Sequence, residues 1–491
     1  MTARTRTRPR VAIVGAGPAG AFTAASLLRA CGDAEIDLFE RLPTPWGLLR
    51  GGVAPDHQEI KRLADTFERQ TLKRGCRFLG NVEVGTDISH AELMSHYSAV
   101  IYATGAQTDK SLGIPGENLP GSWAATEFVD WYNGHTDFCD LEFDLSAKRA
   151  VVIGNGNVAA DVTRILMRSA AELERTDIAD HALEALRESS IEEVVVLGRR
   201  GPAHAAFTSA ELRELVHLDG VELRIDGDVG LDPVSQVWLA QNGTFTARTN
   251  VALLREFAAR PPRADAGRRI ILRFLTSPAQ IRGDDRVEAI DVKRNEIVRA
   301  EDGMLRAHTA GEGLETIDCG LVLRSVGYRA VPLPEVPFDE RSFVLPNERG
   351  RVLGPEREPL PGVYAVGWIK RGPTGILGTN KRDAEETVSC VAEDLAAGAL
   401  PEPANGAREL IDALLDERRP DIVTGEGWRA IARHELEGGR RQRRPRVKIA
   451  ARGELLEVAS QVELGEDHGR SPTRADAGAP KPRSGSVSTG S

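Results

Sequence analysis

The sequence predicts an α/β fold with two Rossmann-like dinucleotide-binding domains, the second inserted in the first. An apolar run that leads into a glycine-rich turn occurs twice, at residues 11–20 and again at residues 150–159. Short apolar runs typical of strands alternate with helical segments around these turns. Such alternation predicts helices on both faces of largely parallel sheets. Two turns of this kind predict two bound dinucleotides, and a chain that holds both can transfer electrons between them.

The first domain begins with a β-α-β unit. Residues 11–14 are a buried-strand run, residues 18–30 are helical in composition, and residues 36–39 form the next strand. A further short strand is expected at residues 100–103. After Pro115-Gly116 the pattern restarts, which marks the start of the inserted region.

The inserted domain repeats the strand pattern at residues 151–153 and 194–197. The helical stretch between them, residues 158–189, is longer than one crossover needs. We therefore expect two helices with a break near Thr176-Asp177.

The chain changes character from Ile270 onwards. Residues 270–274 and 289–292 resemble strands of an antiparallel or mixed region. Residues 321–326 are an apolar run that leads into a glycine, and residues 362–367 form a further strand that ends in one.

Composition limits the class of protein. The 491 residues suffice for two to four domains, and 41% of them are apolar. No run approaches the ~18 apolar residues of a membrane-spanning helix, so no membrane span is expected. The net charge of −10 argues against a dedicated nucleic-acid binder.

The cysteines exclude several kinds of redox and metal site. None lies within three positions of another, which excludes a C-x-x-C pair and a sequence-local zinc or iron–sulfur ligand set, and no metal site is expected. An odd, scattered set of thiols is typical of a reducing compartment, so a cytoplasmic location is expected. The five are Cys31, Cys76, Cys139, Cys319 and Cys390.

The first glycine turn has the full context of a dinucleotide fingerprint. Gly15 permits the tight turn, Gly17 lets the backbone approach a pyrophosphate, and Gly20 lets the helix sit close to the strand. Glu40 follows the next strand, where a carboxylate accepts hydrogen bonds from ribose hydroxyls. A glycine turn used only for packing is the alternative.

The second turn ends differently. After Gly154, Gly156 and Ala159, the next strand leads to Arg199-Arg200 rather than to an acid. Guanidinium groups pair with phosphate, whereas a carboxylate would repel it. This end favours the 2′-phosphate of NADP(H), and the alternative is a solvated basic loop.

Glu211 has two interpretations. Thr208 and Glu211 fit a capping box, with Thr208 as the N-cap and Glu211 at the third helical position. Glu211 could instead reach the nicotinamide side of the site.

Three further segments complete a recognisable pattern: residues 42–57, 102–106 and 366–380. With the two glycine turns, they make the chain resemble the adrenodoxin-reductase-type ferredoxin–NADP reductases, closest to the actinobacterial, mycobacterial-type members. The resemblance covers roughly residues 10–460. It implies FAD in the first dinucleotide fold, NADP(H) in the second, and electron transfer between NADPH and a ferredoxin.

The resemblance also implies roles for single residues. His57 and Glu214 resemble a polar pair at the family's active site. The FAD contacts implied are Gly15, Gly17, Ala19, Gly20, Glu40, Leu48, Val84, Trp368, Gly375, Ile376 and Leu377. The NADP contacts implied are Asn155, Gly156, Asn157, Val158, Arg199, Arg200, Glu211 and Gly375. Ala19 stands where close relatives can have Ser, so a side-chain hydrogen bond to FAD is lost there.

These assignments give the domain boundaries. The expected parts are a flexible leader at residues 1–10, an FAD-binding domain at 11–107 and 328–464, an NADP-binding domain at 108–327, and a disordered tail at 465–491. The tail has a single β-branched aliphatic residue, Val487, and no aromatic one, so it buries too little apolar area to offset the cost of ordering.

The acceptor of the electrons stays open. A ferredoxin-type iron–sulfur protein is the expected partner of an expected monomer; a quinone or another flavoprotein is the alternative acceptor, and a flavin-binding sensor without turnover is a third hypothesis. Ferredoxins are acidic, so docking needs a basic face, and a solvated helix face is the simpler explanation of the charges. The candidates are Lys61, Arg62, Arg69, Lys73 and Arg74.

Overall fold

The computed structural model describes residues 8–461 except residues 228, 264–265 and 376. The strands are β1 Arg10–Val14, β2 Glu35–Glu40, β3 Arg77–Gly80, β4 Ala99–Tyr102, β5 Thr108–Asp109, β6 Ser122–Ala124, β7 Arg149–Ile153, β8 Glu193–Gly198, β9 Val221–Asp226, β10 Arg268–Phe274, β11 Thr276–Arg282, β12 Ala289–Arg299, β13 Leu305–Asp318, β14 Leu321–Arg324, β15 Tyr328–Arg329, β16 Asn347–Glu348, β17 Arg351–Leu353 and β18 Pro359–Ala365.

Helices cover the sheets. They are α1 Pro18–Ala30, α2 Leu48–Gly51, α3 Gln58–Lys61, α4 Leu63–Gln70, α5 His90–His96, α6 Ala125–Tyr132, α7 Asn157–Met167, α8 Ala170–Leu173, α9 Asp180–Arg187, α10 Ser209–Val216, α11 Pro233–Asn242, α12 Phe245–Ala258, α13 Trp368–Arg371, α14 Leu377–Ala397, α15 Arg408–Arg418, α16 Gly425–Gln442 and α17 Arg452–Ser460. In the part of the chain described, none is long and apolar enough to cross a bilayer.

The first sheet has the order β16-β17-β18-β4-β1-β2-β3. Its five strands from β18 to β3 are parallel, and β18 pairs with β4 although more than 250 residues separate them in the chain. Helices α1 and α14 pack together against this sheet through an apolar cluster. The chain therefore leaves the first sheet, builds a second one, and returns, as the predicted insertion requires.

The second sheet, β6-β14-β7-β8-β10-β9, is parallel throughout. Strand β10 belongs to it, so the antiparallel or mixed region expected at residues 270–274 was wrong for that strand. The antiparallel region starts one strand later, in the separate sheet β11-β12-β13. The error arose because β10 and β11 are separated by a single residue, Leu275, which has a φ of +54°.

The long helical stretch after the second turn folds as three helices, α7, α8 and α9, and not as the two expected. The break near Thr176-Asp177 is present. The additional break lies at Ser169, which caps α8: its hydroxyl accepts the Glu172 N–H, and the Glu172 carboxylate accepts the Ser169 N–H at 2.9 Å. This reciprocal capping box satisfies two backbone donors and starts a new helix.

The sequence predicts a flexible leader and a disordered tail at the two ends of the chain. Arg10 is not part of a flexible leader, because it is buried, belongs to β1 and donates to Asp37 at 3.3 Å. Residues 1–7 of the expected leader and the expected tail at 465–491 lie outside the described residues.

A buried ion cluster joins the C-terminal segment to α3 and to the turn between α8 and α9. The Asp177 carboxylate accepts from Lys61 at 2.8 Å and lies 3.4 Å from the Lys448 ammonium, which also donates to the Asn133 carbonyl. Burial alone raises the pKa of Asp177, but the two ammonium groups outweigh it and hold that pKa below its usual range. The cluster fixes the wall of the cleft between the sheets, because Asn133 lines that cleft.

Candidate functional site

A cleft of about 980 Å³ lies between the two parallel sheets. Most of the expected site residues line it: Gly15, Gly17, Ala19, Glu40, Leu48, His57, Val84, Asn157, Val158, Glu211, Trp368, Gly375 and Leu377. Gly20, Asn155, Gly156, Arg199, Arg200 and Glu214 are not part of its wall, and Ile376 is outside the described residues.

The three positions of the first turn hold glycine for different physical reasons. Gly15 has a φ of +106°, and a Cβ there would lie 2.6 Å from the Ala103 carbonyl oxygen. A Cβ on Gly20 would lie 2.0 Å from the Gly15 carbonyl oxygen, so helix α1 could not sit this close to β1. A Cβ on Gly17 would have only Gly47 nearby, at 3.9 Å. Folding requires glycine at positions 15 and 20, whereas position 17 leaves room for a ligand.

Glu40 ends strand β2 and closes the first turn from below. Its carboxylate accepts hydrogen bonds from the Ala16 N–H at 2.9 Å and the Leu42 N–H at 3.2 Å. Burial raises the pKa of this carboxyl despite these two bonds. A carboxylate has about four lone-pair sites, so acceptor capacity remains for a ribose.

The second turn repeats the geometry of the first. Gly154 has a φ of +130°, and a Cβ there would lie 2.1 Å from the Ser325 carbonyl oxygen. A Cβ on Gly156 would have no described atom within 4 Å. Beside them, the buried Asn155 Nδ2 lacks a hydrogen-bond partner among the described residues. Open space and an unsatisfied amide donor fit a phosphate-bearing ligand.

Arg199 and Arg200 directly follow β8, and both are exposed. Their backbone is anchored, since the Asn295 amide donates to the Arg199 carbonyl at 2.8 Å and the Leu275 N–H donates to that of Arg200. Burial and the neighbouring charge of Arg199 lower the pKa of Arg200. Two neighbouring guanidinium groups on an anchored backbone can pair with a dianion.

Arg164, on helix α7, lies behind the cleft wall and contacts residues that line it. Its side chain is completely buried and donates to Asp56 at 2.6 Å, to Asp161 at 2.6 Å and to Glu211 at 3.0 Å. Asp56 belongs to the first domain's loop, whereas the other partners belong to α7 and α10. The guanidinium therefore connects the two domains where both line the cleft.

Only one of the two hydrogen bonds of the capping box expected at Thr208 and Glu211 is formed. The Thr208 hydroxyl accepts the Glu211 N–H at 3.3 Å, as expected for an N-cap. The reciprocal bond is absent, because the Thr208 N–H donates to Asn157 and the Glu211 carboxylate turns to Arg164. The capping interpretation of the Glu211 side chain was wrong, since a buried cation attracts a carboxylate more strongly than a backbone N–H does.

His57 and Glu214 are in contact, with 2.9 Å between His57 Nε2 and Glu214 Oε2. Glu214 comes from α10 and His57 from the first domain, so the pair spans the two domains. Arg164 Nη2 also lies 3.0 Å from His57 Nε2. The structure brings together the two residues expected to form a polar pair.

The last wall of the cleft is the loop before α14. Trp368 lies 5.1 Å from the Tyr328 ring, and Gly375 has a φ of +86°. Leu377 begins α14, a helix of 21 residues, so its N-terminus faces the cleft. A helix N-terminus carries partial positive charge, which stabilises a negative charge placed there.

Sequence reasoning missed Asp56, Asp161 and Arg164 as site residues. A signal was present, because Asp161 and Arg164 interrupt the largely apolar helix that follows the second glycine turn. Charged residues three apart on such a helix share one face, and a face that carries them in a buried helix points to a polar site.

The comparisons with known proteins agree with this geometry. The family model described as "Pyridine nucleotide-disulphide oxidoreductase" matches residues 9–229. The chain is 49% identical to NADPH-ferredoxin reductase FprA of Mycobacterium leprae over 91% of this chain and 98% of that protein. It is 41% identical to the mitochondrial NADPH:adrenodoxin oxidoreductase of Arabidopsis thaliana, over 92% of this chain and 95% of that protein.

The chain belongs to the adrenodoxin-reductase-type ferredoxin–NADP reductases. Solved structures of this reductase family have the same fold. FprA from Mycobacterium tuberculosis in complex with NADPH is 47% identical, with a TM-score of 0.86, and the match covers 92% of this chain and all of that one. The His57Gln mutant of the same protein is 48% identical, with a TM-score of 0.87 and the same coverage. The resemblance read from the motifs is confirmed.

Proposed function

We propose that this reductase is an FAD-dependent NADPH:ferredoxin oxidoreductase. The observation that carries the proposal is one cleft lined both by the first glycine turn, which closes on Glu40, and by the start of α7, which directly follows the second glycine turn; the strand after α7–α9 leads to Arg199-Arg200. An acid selects a free ribose and an arginine pair selects a phosphorylated one. FprA, to which the chain is 49% identical, is named for the same activity.

The proposed FAD site is the first turn and the loop before α14. Gly17 leaves the space for the pyrophosphate, Glu40 accepts the ribose hydroxyls, and the N-terminus of α14 lies at the ring end. The remaining FAD contacts would be Gly15, Ala19, Gly20, Leu48, Val84, Trp368, Gly375, Ile376 and Leu377.

The proposed NADP(H) site is the second turn. Gly156 leaves the space for the pyrophosphate and Asn155 Nδ2 supplies the donor that lacks a partner, while Arg199 and Arg200 bind the 2′-phosphate. The further contacts would be Asn157, Val158, Glu211 and Gly375. This division assigns residues 11–107 and 328–464 to FAD and residues 108–327 to NADP(H).

When bound, FAD would accept a hydride and pass on its two electrons one at a time. The chain's own residues orient and shield the reactants. Arg164 fixes the two domains against each other, and Trp368 with the apolar cleft wall excludes water. His57, held by Glu214, is placed to accept or hold a proton at Nε2.

We propose a role in tuning for His57. In this account the His57→Gln variant keeps its FAD but changes the rate of reduction by NADPH or the flavin potential. Rapid-mixing reduction kinetics and a redox titration measure the two quantities. Unchanged values of both would remove His57 from the mechanism.

The proposed docking face is basic and lies on α4 and the turn after it. Arg62, Arg69, Lys73 and Arg74 are exposed. Lys61 is not available, because its ammonium is buried against Asp177, and the expectation that it belongs to the face was wrong. An acidic ferredoxin on this face would be attracted electrostatically.

We further propose a monomer in the cytoplasm. The five cysteines are free thiols, which fits a reducing compartment. All of the contacts proposed for FAD and NADP(H) lie within one chain, which is compatible with a monomer.

The experiment compares acceptors. The purified holoenzyme is reduced with NADPH and mixed rapidly with an acidic ferredoxin or with a soluble quinone. Ferredoxin reduction at the higher kcat/KM supports the proposal. A higher kcat/KM for the quinone would favour a quinone reductase, and turnover with neither acceptor would favour a flavin-binding sensor.

A further inference from the structure

The buried cluster around Arg164 contains more acid than base. Arg164 and its neighbour Arg168 are the cations. Five carboxyl groups lie within 4.0 Å of one or both guanidinium groups, and they belong to Asp56, Asp161, Glu172, Glu211 and Glu214. Glu172 and Glu214 are partly exposed, so water screens their charges, whereas Asp56, Asp161 and Glu211 are largely buried. Three largely buried carboxyls therefore surround Arg164, and together they either carry excess negative charge or hold protons.

The excess is concentrated at Asp161 and Glu211. One ligand atom from each of these residues and from His57 lie within 4.8 Å of one another. Burial raises the pKa of both carboxyls, that of Glu211 to about 7, and each also raises it through repulsion of the other or of nearby acids. Two carboxylates so close together in a buried site do not both ionise easily.

Both residues also line the cleft, together with His57, Trp368 and Gly375. The proposed function makes Glu211 and Gly375 contacts of NADP(H), and the inference places the nicotinamide ring beside them. The nicotinamide ring carries a positive charge in NADP+ and is neutral in NADPH. A proton held by either carboxyl at this position is therefore sensitive to the oxidation state of the nucleotide.

We propose that Asp161 and Glu211 select the nucleotide by ring charge: NADP+ binding displaces a proton from this pair of carboxyls, so the cationic ring binds more tightly than a neutral ring when the pair is ionised. This inference rests on the proposed function, since it requires NADP(H) in this cleft. It makes the release of oxidised nucleotide, and not its phosphate contacts, dependent on pH.

Among the described residues, six other charged or titratable groups face the pair. They come from the loop before α3, from α7, from α10, from α6 and from β15, and they are Asp56, His57, Arg164, Glu214, Tyr132 and Tyr328. Burial raises the pKa of Tyr132 and of Tyr328 above the usual range, so both phenols stay neutral. Arg164 stays charged, because its pKa is raised by Asp56 and Asp161 in spite of burial.

The sign of the pH dependence follows from the raised pKa of Glu211. Above about pH 7 Glu211 is ionised, and the cationic ring binds without displacing a proton from it. As the pH falls below 7, more of the free enzyme carries that proton, so NADP+ binding weakens relative to a neutral-ring ligand by up to about tenfold per pH unit.

The test compares two ligands of the FAD-containing holoenzyme. NADP+ has the cationic ring, and 1,4,5,6-tetrahydro-NADP has a neutral ring that cannot transfer hydride. Both carry the same phosphates, so proton changes at the 2′-phosphate cancel. A pH indicator in weakly buffered solution measures proton release on binding, and the two dissociation constants are measured between about pH 5.5 and 8.5.

The expected result is that NADP+ releases more protons than the neutral-ring ligand just below pH 7, and that the ratio of dissociation constants depends on pH as described. Glu211→Gln should remove both effects, because it deletes the carboxyl whose pKa lies at about 7, and Asp161→Asn should move the pH dependence to lower pH, because it removes the repulsion that helps to raise the pKa of Glu211. Glu184→Gln, an exposed change on α9, should keep them.

Equal proton release by the two ligands in the unmodified enzyme overturns the inference, as does an excess retained in Glu211→Gln. Failure of both ligands to bind contradicts the proposed function instead. The three results are distinguishable in one titration series.

Discussion

The two glycine turns have almost the same backbone and opposite electrostatics. Gly15 and Gly154 both have a positive φ and both would clash with a carbonyl oxygen if they carried a Cβ. The next strand, β2 or β8, ends at Glu40 in the first case and leads to Arg199-Arg200 in the second. The glycines therefore give the two turns the same shape, and we expect the residues at the end of β2 and after β8 to select the ribose.

The space around each glycine shows which glycines the fold requires and which ones leave room for a ligand. Gly15, Gly20 and Gly154 are constrained by the protein itself, whereas Gly17 and Gly156 have space that no described protein atom fills more closely than 3.9 Å. Variants at the second group can change ligand affinity without disturbing the fold.

The largest effect is expected from reversing the charge at the end of β8. Arg199→Glu with Arg200→Leu removes two charge-assisted contacts to the 2′-phosphate and adds a repulsion, so the preference for NADPH over NADH should fall by on the order of a hundredfold or more. The ratio of kcat/KM for the two nucleotides measures it, with Arg187→Glu, an exposed site on α9, as the control. An unchanged ratio would mean that the phosphate is bound elsewhere.

The next effect distinguishes the two cradles from each other. Gly17→Ala and Gly156→Ala place the same methyl group at equivalent positions, and each should weaken one cofactor by roughly ten- to a hundredfold, the range of steric overpacking. Gly17→Ala should lose FAD on dialysis, and Gly156→Ala should keep FAD but show a raised KM for NADPH.

Thermal unfolding of the apoprotein serves as the control for this pair. Both variants should unfold near the temperature of the parent, because neither methyl group meets protein atoms closely. Loss of the wrong cofactor in either variant would contradict the assignment of the two turns.

A smaller effect is expected at Glu40. Glu40→Gln keeps one acceptor but turns an amide donor towards the Ala16 or Leu42 N–H, which costs about 1 kcal/mol, or several-fold in FAD affinity. Fluorescence titration of the apoprotein with FAD measures this. The preference for NADPH over NADH should not change, and a change in it would show that the two ends are not independent.

The smallest effect concerns a surface outside both turns. Arg62→Ala with Arg69→Ala should weaken ferredoxin association a few-fold at low ionic strength, and the difference should vanish in high salt, because the face is exposed and screened. Binding of FAD and NADPH should be unaffected. Salt-independent weakening would indicate that these arginines act through the fold.

Some elements were predictable because local chemistry decides them. Helix α1 spans Pro18–Ala30, as expected, since Pro18 suits the first helical position and Gly17 suits the N-cap. Strands β1, β2, β7 and β8 follow their apolar runs. The two glycine turns needed no tertiary information.

Other features depended on distant residues. The S/T-x-x-E signature occurs at Ser169 and at Thr208; it forms a complete capping box at Ser169, whereas at Thr208 the glutamate is drawn to Arg164. The sequence predicts Lys61 to be a surface charge, but in the structure its ammonium is buried against Asp177. In both cases, a partner more than 40 residues away decided the side chain's position, and no local pattern contains that partner.

The most direct measurement is an anaerobic titration of the purified protein followed by its visible spectrum. The account predicts a yellow protein with a flavin spectrum, bleached by stoichiometric NADPH and only by a large excess of NADH. A colourless protein would contradict the FAD assignment of the first turn. Equal bleaching by the two nucleotides would contradict the phosphate assignment of Arg199-Arg200.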